Sequence, residues 1–257
     1  MQSSGSEVGY NKGFAAAYEL GWSDFSRKAA EAILPFFAEN TPKNTERLAL
    51  DLACGTRTFA RALVAAGFKV TGVDKSQPML DLARKASSDL GEEECRVEYV
   101  CADMSELPSL SKRFSLITCL YDSVNHLEDL DAVERTLTAA RKQASNDAIL
   151  IFDVNTQLGL QQWASANLLT GEGFQLETAP FFDGETVTLQ VKGTVDAEGE
   201  QVAVETSISE RAFAVSALLE VTRLSGWHTA VAGRARQLGV PVDDPENESR
   251  IFITAFA

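Results

Sequence analysis

The chain is short of the residues that build metal and disulfide centres. Among 257 residues there are two histidines, His126 and His228, and four cysteines, Cys54, Cys95, Cys101 and Cys119. None of the cysteines forms a CxxC pair, so neither a zinc site nor a disulfide framework is expected, no metal is assigned, and the simple reading is reduced thiols in a cytoplasmic compartment. Long apolar runs are also missing. Nothing approaches the ~18 to 20 consecutive apolar residues that cross a bilayer, so no membrane partner is expected. The opening MQSSGSEVGYNKGF lacks the basic segment and apolar run of a secretory leader. Positive charge is scarce as well: 23 Lys and Arg face 37 Asp and Glu, a formal net charge of −14. Affinity for nucleic acid rests on cationic contacts with phosphates, and with no Lys/Arg cluster in sight DNA and RNA are not expected partners.

What is present is an ordinary globular balance, 45% hydrophobic and 23% charged. The length suffices for one full core plus a subdomain. Residues 48–82 organise the rest. Leu48-Ala49-Leu50 is an apolar run without alternation, as expected of a parallel strand buried on both faces, and it stops at Asp51. The loop Ala53-Cys54-Gly55-Thr56 follows, small enough for backbone to approach a ligand. A helix starting near Thr56 or Arg57 directs free N–H groups and its positive end at the same place, which favours an anionic or polar ligand. The second strand, 69–73, ends at Asp74, where an acid ~20 residues past such a loop bonds ribose hydroxyls in dinucleotide folds.

The loop does not read GxGxxG. Asp51-Leu52-Ala53-Cys54-Gly55-Thr56 instead resembles the first motif of class I S-adenosylmethionine-dependent methyltransferases, and Gly72-Val73-Asp74-Lys75-Ser76-Gln77-Pro78-Met79-Leu80 resembles that family's GVDxSxxML segment. The chain departs from the pattern at Arg57, where the family usually has glycine, and at Ala53, where it often does. Arg57 either narrows the pocket or meets the cofactor's carboxylate. The resemblance implies an α/β fold, a doubly wound, mostly parallel seven-stranded sheet, with S-adenosylmethionine as cofactor and S-adenosylhomocysteine as product. It places cofactor contacts at Asp51, Ala53, Cys54, Gly55, Arg57, Asp74, Lys75 and Met79. Further along it adds Asp103 for the adenine amino group, Met104 for the ring, and Leu120 and Tyr121. Tyr18 is similar to a tyrosine that closes over the cofactor's methionine end. Asp103 also reads as a strand-end turn residue, and Tyr10 and Trp22 read equally well as helix anchors.

In chain order, 14–40 is mostly helical, with an apolar stripe at Ala29, Ala32, Ile33, Phe36 and Phe37 and a cap at Ser23 or Asp24. A helix over 77–90 opens at Ser76, and strands at 97–101 and 114–120 follow. A helix over 130–143 and a strand over 148–152 follow. From Leu158 the pattern changes: 158–169 reads as one helix, and then alternating segments at 174–176, 187–191 and 202–208, separated by Asp183-Gly184 and Glu198-Gly199, signal antiparallel hairpins. The core resumes with a helix over 215–224 and strands over 227–232 and 250–256, while 241–248 is an acidic solvated loop. The division expected is 1–157 for the N-terminal helices and cofactor core, 158–212 for an inserted antiparallel β-subdomain over the cleft, and 213–257 for the end of the core. Such an insertion resembles the metabolite-modifying branch of the family, where it forms much of the substrate pocket.

The segment Tyr121-Asp122-Ser123-Val124-Asn125-His126-Leu127 carries the densest chemistry, at a strand end where ligand crevices of parallel sheets lie. The catalytic candidates are His126, as general base, Asp122 and Tyr18; His126 reads equally as a structural hydrogen-bonder. Substrate contacts are assigned to Asn125, His126, Asn155 and Arg211. The activity expected is methyl transfer to an N or O atom of a small-molecule acceptor by a monomer or homodimer. RNA or protein methylation and a non-methylating S-adenosylmethionine-binding role are the alternatives.

Overall fold

The computed structural model describes residues 9–21, 23–88, 97–163, 167–197 and 199–257. The expectations placed on Trp22, Leu90, Cys95 and Glu198 and on the side chains of Ser23 and Asp24 lie outside what it describes. Five parallel strands form the heart of the sheet: β1 Leu48–Leu52, β2 Lys69–Asp74, β3 Val97–Cys101, β4 Phe114–Cys119 and β5 Ala144–Asn155. Two more strands, β10 His228–Gly233 and β11 Arg250–Phe256, add antiparallel to give the order β10-β11-β5-β4-β1-β2-β3. The chain leaves β1 toward β2 and β3, then returns to β4 on the other side of β1. The strand order therefore reverses between β1 and β4, and the crevice at their carboxyl ends is where such sheets bind ligands.

Helices cover both faces. Helix α2 Ser23–Asn40 lays Ala29, Ile33 and Phe37 against Phe59 and Leu63 of α3 Thr58–Ala65, burying one face of β1. Helix α5 Leu130–Lys142, capped by Asp129, packs Val133 and Leu137 with Leu218 of α7 Val215–Leu224 on the other face. Trp227 is buried there and donates its indole N–H to the Leu137 carbonyl. Helix α4 Gln77–Ser88 follows β2, with the Ser76 hydroxyl accepting from Met79 N–H as its cap.

A separate four-stranded antiparallel sheet runs β6 Asn167–Gly171, β7 Phe174–Phe182, β8 Thr186–Ala197 and β9 Glu200–Arg211. Leu176, Val191, Val195, Val204 and Ile208 form its covered face, and Phe14, Ala15 and Ala17 of α1 Lys12–Gly21 pack on it. Gly13 is needed at this contact, since a Cβ there would sit 2.7 Å from the Ala203 carbonyl oxygen.

Several boundaries differ from the sequence reading. The helix expected over 158–169 is only α6 Gln157–Gln162, and Leu168 and Leu169 belong to β6, paired with Glu177 and Leu176. The long N-terminal helix is two helices, α1 and α2. Strand β1 continues through Asp51 to Leu52, and β5 begins four residues earlier than expected, at Ala144. Within the acidic loop, Glu246 accepts from Val215 N–H at the start of α7, so this carboxylate caps a helix rather than merely facing solvent.

Candidate active site

A cavity of about 730 Å³ opens at the carboxyl ends of β1 to β4, roofed by Gly9 to Asn11, α1 and the Ser207 to Ser209 stretch of β9. At one end the loop after β1 turns sharply, with Ala53 at φ 52°, Gly55 at φ 56° and Arg57 at φ 81°. Left-handed backbone at non-glycine residues costs roughly 1–2 kcal/mol each. The conformation leaves the Gly55 N–H facing Asp74, whose Oδ2 it meets at 2.9 Å, while Asp74 Oδ1 accepts from Ser76 N–H at 2.8 Å. Burial pushes the Asp74 carboxyl above its ordinary value despite these two donors. Asp103 at the end of β3 accepts from both the N–H and the hydroxyl of Ser105 through Oδ1, each at 2.8 Å. Burial opposes its ionisation, but the Ser105 bonds prevail and hold its carboxyl below the ordinary value.

The other end of the cavity is built on a second strained corner. Tyr121 and Asp122 are consecutive residues at φ 62° and 51°, and their N–H groups both donate to the Asp153 carboxylate of β5, at 2.6 and 3.1 Å. Arg250 of β11 closes the corner with hydrogen bonds to Asp122 and Asp153. Its guanidinium lies 4.9 Å from the Phe25 ring centre and 5.7 Å from that of Tyr121, an arrangement that favours the cation at both rings. The corner launches the 3-10 turn Ser123–His126, which brings His126 to the cavity. There the imidazole Nδ1 lies 2.8 Å from the Ser209 carbonyl, and Nε2 lies 3.0 Å from the Tyr10 hydroxyl. A carbonyl only accepts, so Nδ1 carries the proton and Nε2 accepts from Tyr10. Burial lowers the His126 pKa, outweighing the pull of Asp122 and the Ser209 carbonyl, and the ring is neutral near pH 7.

Of the residues named from sequence, Tyr18, Ala53, Gly55, Asp74, Lys75, Met79, Asp103, Met104, Tyr121 and His126 line this one cavity. The others do not. Asp51 points sideways into the sheet, where Thr118 of β4 donates to it at 2.7 Å. Cys54 is buried against Gly72, and Arg57 and Leu120 are buried off the wall. Asp122 is buried beneath the corner on Arg250. Asn125 and Asn155 are turned inward: Asn125 Nδ2 donates to the Asn155 and Arg211 carbonyls, and Asn155 Nδ2 donates to Asp122 and Glu210. The Arg211 side chain faces a different cleft, paired with Glu185. The polar ends of Asp122, Asn125, Asn155 and Arg211 are taken up by internal hydrogen bonds or face a different cleft.

Glu210 and Arg250 are among the residues around the site that carried no assignment from sequence. Glu210 is buried beside Asn155, and Arg250 lies 128 positions from its partner Asp122. Glu210 had a signal: Val204, Thr206, Ile208 and Glu210 continue one period-two face of β9, all buried, and a buried acid on such a face is the unusual observation. Asp122, His126 and Glu210 each bring a ligand-type atom within 4.8 Å of the others. Arg250 and Asn155 already engage the carboxylates, so the group is an internal network closed by protein cations and amides.

Comparison with known proteins bears on this geometry. Residues 49–149, from β1 to the middle of β5, match the family model described as a methyltransferase domain. Over this stretch the chain is similar to a methyltransferase domain. A Geobacillus sp. (strain WCH70) protein classed as a methyltransferase by inference is 34% identical over 107 residues, 42% of each chain. The match thus spans about two fifths of that relative's length. The dTDP-3-amino-3,6-dideoxy-alpha-D-glucopyranose N,N-dimethyltransferase of Streptomyces fradiae is 27% identical over 153 residues, 58% of this chain and 56% of that one. Among solved structures, an S-adenosylmethionine-dependent methyltransferase from Clostridium acetobutylicum ATCC 824 superposes with a TM-score of 0.76 at 21% identity, over 90% of this chain and 91% of that chain. At 90% of this chain, that likeness of fold reaches well beyond residues 49–149.

Proposed function

We propose that this chain is an S-adenosylmethionine-dependent methyltransferase that modifies an N or O atom of a small molecule. The observation that carries the reading is that Gly55, Asp74 and Asp103 share one cavity with the His126 imidazole at its far end. The residues present fit the cofactor. A carboxylate offers about four acceptor positions, and Asp74 has two of its own taken by Gly55 and Ser76 N–H, which leaves room for ribose hydroxyls. Both Ser105 bonds fall on Asp103 Oδ1, so Oδ2 remains for an amino group of the base. Met104 and Met79 supply apolar wall, and the Gly55 turn and Tyr18 face the amino-acid end. The cavity volume of about 730 Å³ falls in the usual range for small-molecule sites, ~300–1,000 Å³.

When bound, the cofactor supplies a sulfonium methyl already activated toward a nucleophile. The protein's own part is then mainly orientation, which is worth ~7–11 kcal/mol for well-aligned reactants. Neutral His126, with Nε2 toward the cavity, takes a proton from the acceptor, a contribution of roughly 10²- to 10⁴-fold. Tyr10 holds that nitrogen until an acceptor displaces its hydroxyl. A small acceptor is supported by the cover that β9 and the N-terminal segment place over the cavity, and by the Streptomyces fradiae relative, which is named for a nucleotide-linked amino sugar. Isothermal titration with S-adenosylmethionine and S-adenosylhomocysteine tests the reading. One-site saturable binding is expected, and no heat with either ligand dismisses it.

A further inference from the structure

The last three residues of β9 are each tied to the tips of the core strands. His126 Nδ1–H donates to the Ser209 carbonyl at 2.8 Å, Asn155 Nδ2 to Glu210 Oε2 at 2.9 Å, and Asn125 Nδ2 to the Arg211 carbonyl at 2.8 Å. Glu210 is the one acid of the four-stranded sheet among the buried residues, and Asn155 Nδ2 joins it to Asp122 Oδ2 at 2.6 Å. We propose that Glu210 is a positioning residue: by anchoring the end of β9 to Asn155 it holds the Ser209 carbonyl against His126 Nδ1, and so keeps Nε2 as the bare nitrogen toward the cavity. The proposal rests on reading His126 as the base at the acceptor end, and it makes docking of the inserted sheet the event that sets the imidazole's state.

The groups around Glu210 decide its charge. From the N-terminal segment comes Tyr10, from the corner after β4 come Tyr121 and Asp122, from β5 come Asp153 and Asn155, from β11 comes Arg250, and from the 3-10 turn comes His126. Arg250 is the only cation of this set and is engaged by Asp122 and Asp153. A third ionised carboxyl would be buried without compensation, which is costly. Burial, and then the charge of Asp122, accordingly push the Glu210 carboxyl well above the ordinary range, although the Asn155 bond and Arg250 pull it down. Glu210 is therefore held as the neutral acid, and glutamine is its isostere. Because its folded value is raised, its support for the docked state is complete at low pH and is lost as pH climbs through that value.

The test reads the imidazole directly, on the full chain labelled with 15N-histidine. Only His126 and His228 contribute, and His228→Gln leaves the His126 signals alone. Long-range proton–nitrogen spectra distinguish Nδ1–H, Nε2–H and charged forms. Wild type is expected to show the Nδ1–H form near pH 7, with a transition in the His126 shifts, as pH climbs through the raised Glu210 value, that leaves the ring uncharged. Glu210→Gln should keep the tautomer and lose the transition. Glu210→Ala and Glu210→Asp, which cannot reach Asn155, should lower the Nδ1–H to Nε2–H ratio by about three- to tenfold, the worth of one buried hydrogen bond; the aspartate serves if the alanine variant does not fold. An unchanged tautomer in both short variants overturns the proposal. So does a Glu210→Gln protein that behaves like Glu210→Ala, since that would mean the site needs a charged carboxylate, as a base or an ion's ligand does. Titration with S-adenosylhomocysteine on the same samples reports the Asp74 end separately, so failure of the functional reading shows there and not in the tautomer.

Discussion

Asp51→Asn should make the protein more stable, and by an amount that grows with pH. Asp51 lies on the central strand β1, is 2% exposed, and accepts a hydrogen bond from the Thr118 hydroxyl at 2.7 Å. Burial lifts its carboxyl to about 7 from 3.8, with Thr118 pulling down and Asp74 pushing up. The folded protein thus binds this proton more tightly than the unfolded chain, so the group's contribution is full below about pH 4 and is lost as pH rises to about 7. A shift of roughly three units at ~1.4 kcal/mol each sets a ceiling of about 4 kcal/mol. Relaxation and water entry around the charge bring the expected value to about 2 kcal/mol. For a chain of this size that is a rise of about 4–8 °C in Tm. Asparagine keeps an oxygen for Thr118 and never ionises. Thermal unfolding of wild type and variant without ligand, scanned from pH 4 to 8.5, gives the difference in Tm, in which the titrations of Asp74, Asp153 and Glu210 cancel. The gap should widen between pH 4 and 7 and stay level above. A gap independent of pH, or a variant that loses ground as pH rises, refutes the reasoning.

Asp74→Ala removes two charge-assisted acceptors for the sugar, at ~1.5–3 kcal/mol each, and should weaken S-adenosylhomocysteine binding by at least about 100-fold in calorimetry. Gly72→Ala places a Cβ 2.8 Å from Cys54 Sγ and 3.2 Å from Tyr99; overpacking of this kind costs ~1–3 kcal/mol, and Cys54→Ala should restore most of it in denaturant unfolding, since the sulfur is the nearer obstacle. Arg250→Met leaves the buried Asp122 and Asp153 without their cation and should cost ~3–5 kcal/mol near pH 7, with part of the loss regained at pH 4, where Asp153, its carboxyl pushed up to about 6 chiefly by burial, is protonated.

The cradle was legible because its determinants are local. Asp51 to Thr56 and Gly72 to Leu80 are short segments in which small residues, a strand end and an acid occur together, and their spacing follows from one βαβ unit. The far end of the site was less so. Nothing near Asp122 announces Arg250, which arrives from the last strand, and nothing near His126 announces Ser209, because both contacts depend on which strands become neighbours. Asn125 and Asn155 looked like substrate contacts because polar side chains at strand tips face a crevice, yet Asn125 is bonded to the Asn155 backbone and Asn155 Nδ2 to the Asp122 and Glu210 carboxylates. Leu168 and Leu169 fitted a helical period as well as a strand, and pairing with β7 decided between them. Arg57 departs from the expected glycine, and the turn nevertheless takes the left-handed conformation with the side chain buried off the cavity wall.

The most direct measurement is a crystal structure of the chain with S-adenosylhomocysteine. The account predicts both ribose hydroxyls on the Asp74 carboxylate, the adenine amino group on Asp103 and the thioether directed toward His126. A ligand bound away from the ends of β1, β2 and β3, or one that leaves Asp74 bonded only to Gly55 and Ser76, contradicts it.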